Sequence, residues 1–147
     1  MVLVERAVPK ERAEIERLVA ELHAEEGMTV RRERISWAVD QQVRNRFPGL
    51  VLVARETEAL VGVVLAAYVP SAELGRVLVV QDFYVDSNVR RKGVGRALSQ
   101  KLLEEAKAMR IDRIDLEVLP ANASAAAFWK ALGFRLTGRV VCSKDLV

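Results

Sequence analysis

Arg90, Arg91, Lys92 and Arg96 place four cations within seven residues, with Gly93 and Gly95 standing among them. The chemistry such a run can do is to hold an anion. Glycines between a strand and a helix let backbone N–H groups turn toward a ligand, and the helix N-terminus adds about half a positive elementary charge. A phosphate or pyrophosphate is the natural occupant, held by backbone donors and steadied by Arg and Lys side chains. Two phosphate-binding designs are excluded. The chain contains no G-x-x-x-x-G-K-S/T string, and the dinucleotide pattern G-x-G-x-x-G/A would need a small residue where Leu98 stands. A third pattern, R/Q-x-x-G-x-G/A, is complete as Arg90, Gly93 and Gly95.

Other reactive side chains are few. Asp82 lies in the run 76–85, where Val77, Val79, Gln81, Phe83 and Val85 alternate with Leu78, Val80, Asp82 and Tyr84. Apolar residues dominate both sets, as in a central strand covered by helices, so a carboxylate there is costly. The lone His23 sits among glutamates near the end of a helical pattern and reads as a solvated helix residue, with contact to a substrate as the alternative. With no second His and one Cys, no metal site is expected. Cys142, in Val-Val-Cys-Ser, reads as a small strand residue without a catalytic role.

These residues need elements to position them, and the apolar spacing supplies a set. A strand is expected over 2–8 and a helix over 9–24, with Ile15, Leu18, Val19 and Leu22 inward. A second helix over 30–45 carries the apolar set Ile35, Trp37, Ala38 and Val43. Strands follow over 50–55, 60–69 and 76–85. The helix from Val94 repeats Leu98, Leu102, Ala106 and Met109 along one face. A strand over 113–119 ends at Pro120, and Asn122 caps a helix through Leu132. The stretches 134–137 and 140–143 predict a last strand pair. The fold class is therefore α+β, one mixed, mostly antiparallel sheet of six to seven strands with helices on both faces.

Length and composition agree with one globular domain: 147 residues, 51% hydrophobic and 29% charged. The net charge of +3 is unevenly spread, since residues 1–89 hold 11 basic and 14 acidic groups and residues 90–147 hold 12 and 6. The excess lies with the glycine turn. The longest uncharged run, 59–72, is interrupted by Gly62 and Pro70 and is too short for the roughly 20 residues of a membrane span. The early charges Glu5 and Arg6 leave no room for a signal-peptide core, so a cytoplasmic location is expected. A nucleic-acid role for the Arg90 cluster is not expected, because no exposed aromatics interleave with it.

The ordered set Gln-Asp-Phe-Tyr-Val at 81–85, the turn at 90–95, and Asn122-x-x-Ala125-x-x-x-Trp129-Lys-x-x-Gly133-Phe134 resembles the GNAT acetyltransferase superfamily. The likeness runs from about 76 to 138, with a weaker match over 6–18. It implies a GNAT-like domain over 1–147, its strands 4 and 5 splayed apart, with 1–75 shaping the acceptor side and 76–138 binding acetyl-CoA. By that likeness the backbone of Phe83, Tyr84 and Val85 would bond the pantetheine arm as an added strand. Arg90, and the amides of Arg91, Lys92, Gly93, Val94, Gly95 and Arg96, would serve the pyrophosphate. Asn122 would reach the pantetheine, and the helix bearing Trp129 and Lys130 would cover the thioester end.

The activity so implied is acetyl transfer from acetyl-CoA to a primary amine by direct transfer in a ternary complex, with a small amine ahead of a protein lysine or N-terminus and no metal. An ordinary amine of pKa near 10.4 is only ~0.04% neutral at pH 7, a deficit of roughly 4–5 kcal/mol that a base must help supply. Asp82 is the first candidate base and Glu117 the second. Many members carry Tyr where this chain has Trp129, so thiolate departure would use Tyr84, a water or no acid. That same replacement keeps a second reading open, a regulatory module that binds acetyl-CoA without transferring it. The apolar stretch 140–146 could pair across a homodimer.

Overall fold

The computed structural model describes residues 2–147. It divides into two units, one ending at Leu116 and the other Glu117–Val147.

The first unit is a five-stranded sheet in the order β1-β2-β3-β4-β5. Its elements are β1 (Val2–Arg6), α1 (Arg12–Glu25), α2 (Arg32–Val43), β2 (Gly49–Glu56), β3 (Ala59–Ser71), β4 (Gly75–Val85), α3 (Val94–Ala108) and β5 (Arg113–Leu116). Strands β1 to β4 pair antiparallel, and β5 joins β4 in parallel after the α3 crossover. β2 is buried over 50–54 and β3 over 60–66, which is why those stretches are near-continuous Val, Leu and Ala runs.

Helices cover both faces. On one, Ile15, Leu18 and Val19 of α1 and Ile35 and Val39 of α2 pack with Val51, Val53, Val63, Leu65 and Tyr84. On the other, α3 buries Val94, Leu98, Leu102 and Ala106, and Leu98 lies so close to Gly62 that a Cβ there would stand 2.8 Å from its Cδ1. Glu11 is buried at the start of α1, where its carboxylate accepts from the Val8 N–H at 2.8 Å and pairs with Arg55. Trp37 departs from the expected inward set: it is 62% exposed, and Val39 takes the buried position. An offset of two residues from each, about 200° around the helix, puts Trp37 on the far side of α2 from Ile35 and Val39.

In the second unit, α4 (Ala123–Ala131) is the one helix, capped by Asn122, whose side chain accepts from the Ala125 N–H at 3.0 Å. Gly133 ends it at φ +93°, and the Phe134 N–H returns to the Trp129 carbonyl at 3.1 Å. The last strand pair is not formed: 134–137 and 140–143 carry no strand, so the described sheet has five strands and not six or seven. Alternating apolar residues favour a strand only where a neighbouring edge takes their backbone hydrogen bonds, and Leu136, Val140, Val141 and Leu146 here are exposed. No helix among the described residues is long and apolar enough to cross a membrane.

Candidate active site

β4 positions the site by two irregularities. Its pairing with β5 covers only Val77 to Val80, while the strand itself runs on through Val85. Against β3 the register shifts, with Leu65 opposite Asp82 and Ala66 opposite Val80, which leaves Gln81 as an extra residue. Such a bulge turns two successive side chains toward one face. Gln81 accepts from Gln42 Nε2 of α2 at 3.1 Å, and Asp82 meets His23 of α1 at 2.9 Å. Both side chains thus reach the α1/α2 side.

A cluster of titratable groups gathers where β4 meets the end of α1. His23 Nε2 and Asp82 Oδ1 form a half-buried pair, their side chains 22% and 17% exposed. His23 is therefore not the solvated residue its sequence neighbours suggest. It is held in the last turn of α1, where its carbonyl accepts from the Met28 N–H at 2.8 Å and Gly27 turns the chain at φ +75°. Beside it, burial raises the Glu26 carboxyl; His23 opposes this, while Asp82 and Glu25 push it further up. The Arg90 guanidinium, 2.7 Å from Glu25, holds that carboxyl below the usual range.

Tyr84 and Arg90 form the outer part of the cluster. The Tyr84 hydroxyl donates to Glu25 at 3.2 Å. Burial, then the charges of Glu25 and Glu21, push the phenol up to about 12. A phenol that weak is poorly matched to protonating a thiolate of ordinary pKa near 8.5. Arg90 stacks over the Tyr84 ring at 5.4 Å and donates from Nε to the Val85 carbonyl at 3.1 Å. Its guanidinium is thus engaged by the end of β4 and by α1, whereas Arg91, Lys92 and Arg96 are exposed.

The glycine turn follows directly. Arg91 and Gly93 adopt φ of 67° and 83°, and Gly93 is the N-cap of α3 with no side-chain cap, so the first N–H groups of a 15-residue helix are left for another acceptor. Nothing lies within 4 Å of the place where a Gly93 Cβ would stand. The arrangement can take an anion on backbone donors with cations around it.

The remaining expected residues belong to the second unit. Glu117 follows the end of β5 and is exposed. Asn122 is occupied as the α4 cap. Trp129 is buried between Phe128 and Phe134, with ring centroids at 5.0 and 5.1 Å, and Lys130 is exposed. The sequence alone does not bring Glu25, Glu26 and His23 to Asp82, and the solvated position it suggests for His23 is not the one found. The available signal was the coincidence of one His and three acidic residues at the end of α1 with the carboxylate of β4.

A ribosomal protein bS18-alanine N-acetyltransferase of Escherichia coli is 40% identical over 50 residues, 34% of this chain and 34% of that protein. A mycothiol acetyltransferase of Beutenbergia cavernae is 36% identical over 66 residues, 45% of this chain and 21% of that protein. The chain thus spans about a third or less of the curated relatives it matches. Among solved structures, a possible acetyltransferase from Clostridium difficile 630 superposes with a TM-score of 0.88 at 20% identity, covering 100% of this chain and 99% of the other. A ribosomal-protein-alanine N-acetyltransferase from Brucella melitensis biovar Abortus 2308 gives 0.80 at 18% identity, covering 99% of both. At such identities the likeness is one of fold. The profile of the Acetyltransferase (GNAT) family matches residues 12–134, from the start of α1 across the bulged strand and glycine turn to beyond α4, and the chain belongs to that family.

Proposed function

We propose that the protein is an acetyl-CoA-dependent N-acetyltransferase that moves an acetyl group directly to a primary amine in a ternary complex. The observation that carries this reading is that β4 continues beyond the end of its β5 ladder, and that one short turn later α3 begins on Gly93 with no side-chain cap and with cations around it. The residues present fit the donor. A pantetheine arm has the alternating amides of a strand, and a pyrophosphate has the charge the turn is built to take. Phe83, Tyr84 and Val85 would bind the arm, and 91–96 the pyrophosphate, with Arg90 holding the turn against Glu25. Asn122, Trp129 and Lys130 complete the proposed cofactor set. Asp82 belongs to the proton-handling centre, ahead of Glu117 and Tyr84.

In this reading 1–75 shapes the acceptor side and 76–138 the donor side. Glu25, Glu26 and Asp82 make the neighbourhood of the end of β4 acidic, which suits a cationic amine. One distant relative is named for a ribosomal protein alanine and the other for mycothiol, so kinship is compatible with a protein or a small-molecule acceptor. We take a small amine as the first class to test. A homodimer formed through 140–146 is part of the proposal.

Calorimetric titration with acetyl-CoA, followed by thiol-release assays over small amines and N-terminal peptides, tests it. The expected result is saturable acetyl-CoA binding and amine-dependent thiol release. Tight binding with no release on any amine would favour the regulatory module that Trp129 keeps open.

A further inference from the structure

Resting on the transferase reading, the geometry points to His23 as the group that takes the acceptor's proton, with Asp82 as its positioning residue. The two lie 59 residues apart in sequence and meet at 2.9 Å. An ionised carboxylate can only accept, so the proton in that contact sits on Nε2, and the imidazole lone pair is on Nδ1. Nδ1 has no hydrogen-bond partner among the described residues. A carboxylate fixing one nitrogen of an imidazole so that the other can accept a proton is the arrangement of a general base and its orienter.

The surroundings favour this assignment over Asp82 acting alone. Asp82 is turned to the α1 side by the Gln81 bulge and has an oxygen committed to the ring. The charged groups facing the pair are Glu26 and Glu25 at the end of α1, Glu25 being neutralised by Arg90 over Tyr84. This leaves an acidic approach for an ammonium and a basic nitrogen at its end. Two protons leave the acceptor ammonium during transfer. The first passes to Nδ1 and from the imidazolium to solvent. The neutral amine then forms its C–N bond to the thioester carbonyl carbon as the C–S bond breaks, and its second proton goes to the departing thiolate.

The test compares wild type, His23→Ala, His23→Gln and Asp82→Asn, using putrescine and an N-terminal-alanine hexapeptide as probes, with acetyl-CoA affinity measured in parallel. Wild type should turn over at least one probe. His23→Ala should lose about 10²-fold or more in kcat/KM and recover about tenfold with added imidazole, while its acetyl-CoA Kd stays within about twofold. Asp82→Asn should lose activity that imidazole does not restore, since the ring is still present, and should shift the acid limb of the pH profile; His23→Gln should abolish that limb. Wild-type inactivity on both probes despite binding would overturn the transferase reading and this assignment with it. Turnover undiminished in His23→Ala, or a loss that imidazole leaves in place, would overturn the assignment alone.

Discussion

At the residue scale, the site shows how one ion pair can fix several groups. Arg90 touches Glu25, the Tyr84 ring and the Val85 carbonyl, so it joins the strand end, the α1 end and the turn that follows. Glu25 in turn accepts from the Tyr84 hydroxyl. The phenol, pushed up to about 12 against an ordinary 10, binds its proton more tightly in the folded chain. The stability this contributes is fully present below pH 10 and is lost as pH rises from 10 through 12. Chemical denaturation across that window should therefore show a decline. Glu25→Gln removes the nearest negative charge and leaves Arg90, so Tyr84 should ionise at lower pH in ultraviolet titration. An unchanged or higher ionisation pH would show that Glu25 does not set it.

At the scale of elements, β4 and α3 are ordinary except where they meet the site. β4 needs its bulge at Gln81 to send Gln81 and Asp82 to one side, and its ladder with β5 ends at Val80 because β5 stops at Leu116. α3 begins on Gly93 at φ +83°, in open space, so an added methyl costs backbone strain and meets no clash. Gly93→Ala should therefore cost about 1 kcal/mol, a fall in Tm of about 4 °C by calorimetry. If the turn cradles a pyrophosphate, the same methyl occupies the ligand's approach, and the acetyl-CoA Kd should rise about tenfold. A Kd unchanged within error would remove this turn from the donor site.

At the scale of the whole molecule, the end of the chain is the part the sequence pattern described least well. Val140 and Val141, 84% and 66% exposed, look like strand residues yet have no ladder to join within one chain. A double change, Val140→Asp with Val141→Asp, should leave stability within about 0.5 kcal/mol, measured by denaturant unfolding. If these residues pair across a homodimer, the same variant should shift sedimentation from dimer to monomer; a wild type already monomeric would remove that part of the proposal.

By itself the sequence determined the strand, glycine turn and helix of 76–108, the cap at Asn122, the helices over both faces and the family likeness. Each of these depends on residues near one another in the chain or on hydrophobic periodicity, which local sterics and burial enforce. It did not determine the strand count, because 134–143 has strand-like alternation but pairing is a property of two segments. Nor could it show that Trp37 faces outward, or that Arg90 is engaged by Glu25. The central case is His23, which the sequence left as a lone residue among glutamates. Only the packing of α1 on the sheet, with the bulge turning Asp82 to that side, brought the imidazole and the carboxylate within hydrogen-bond distance.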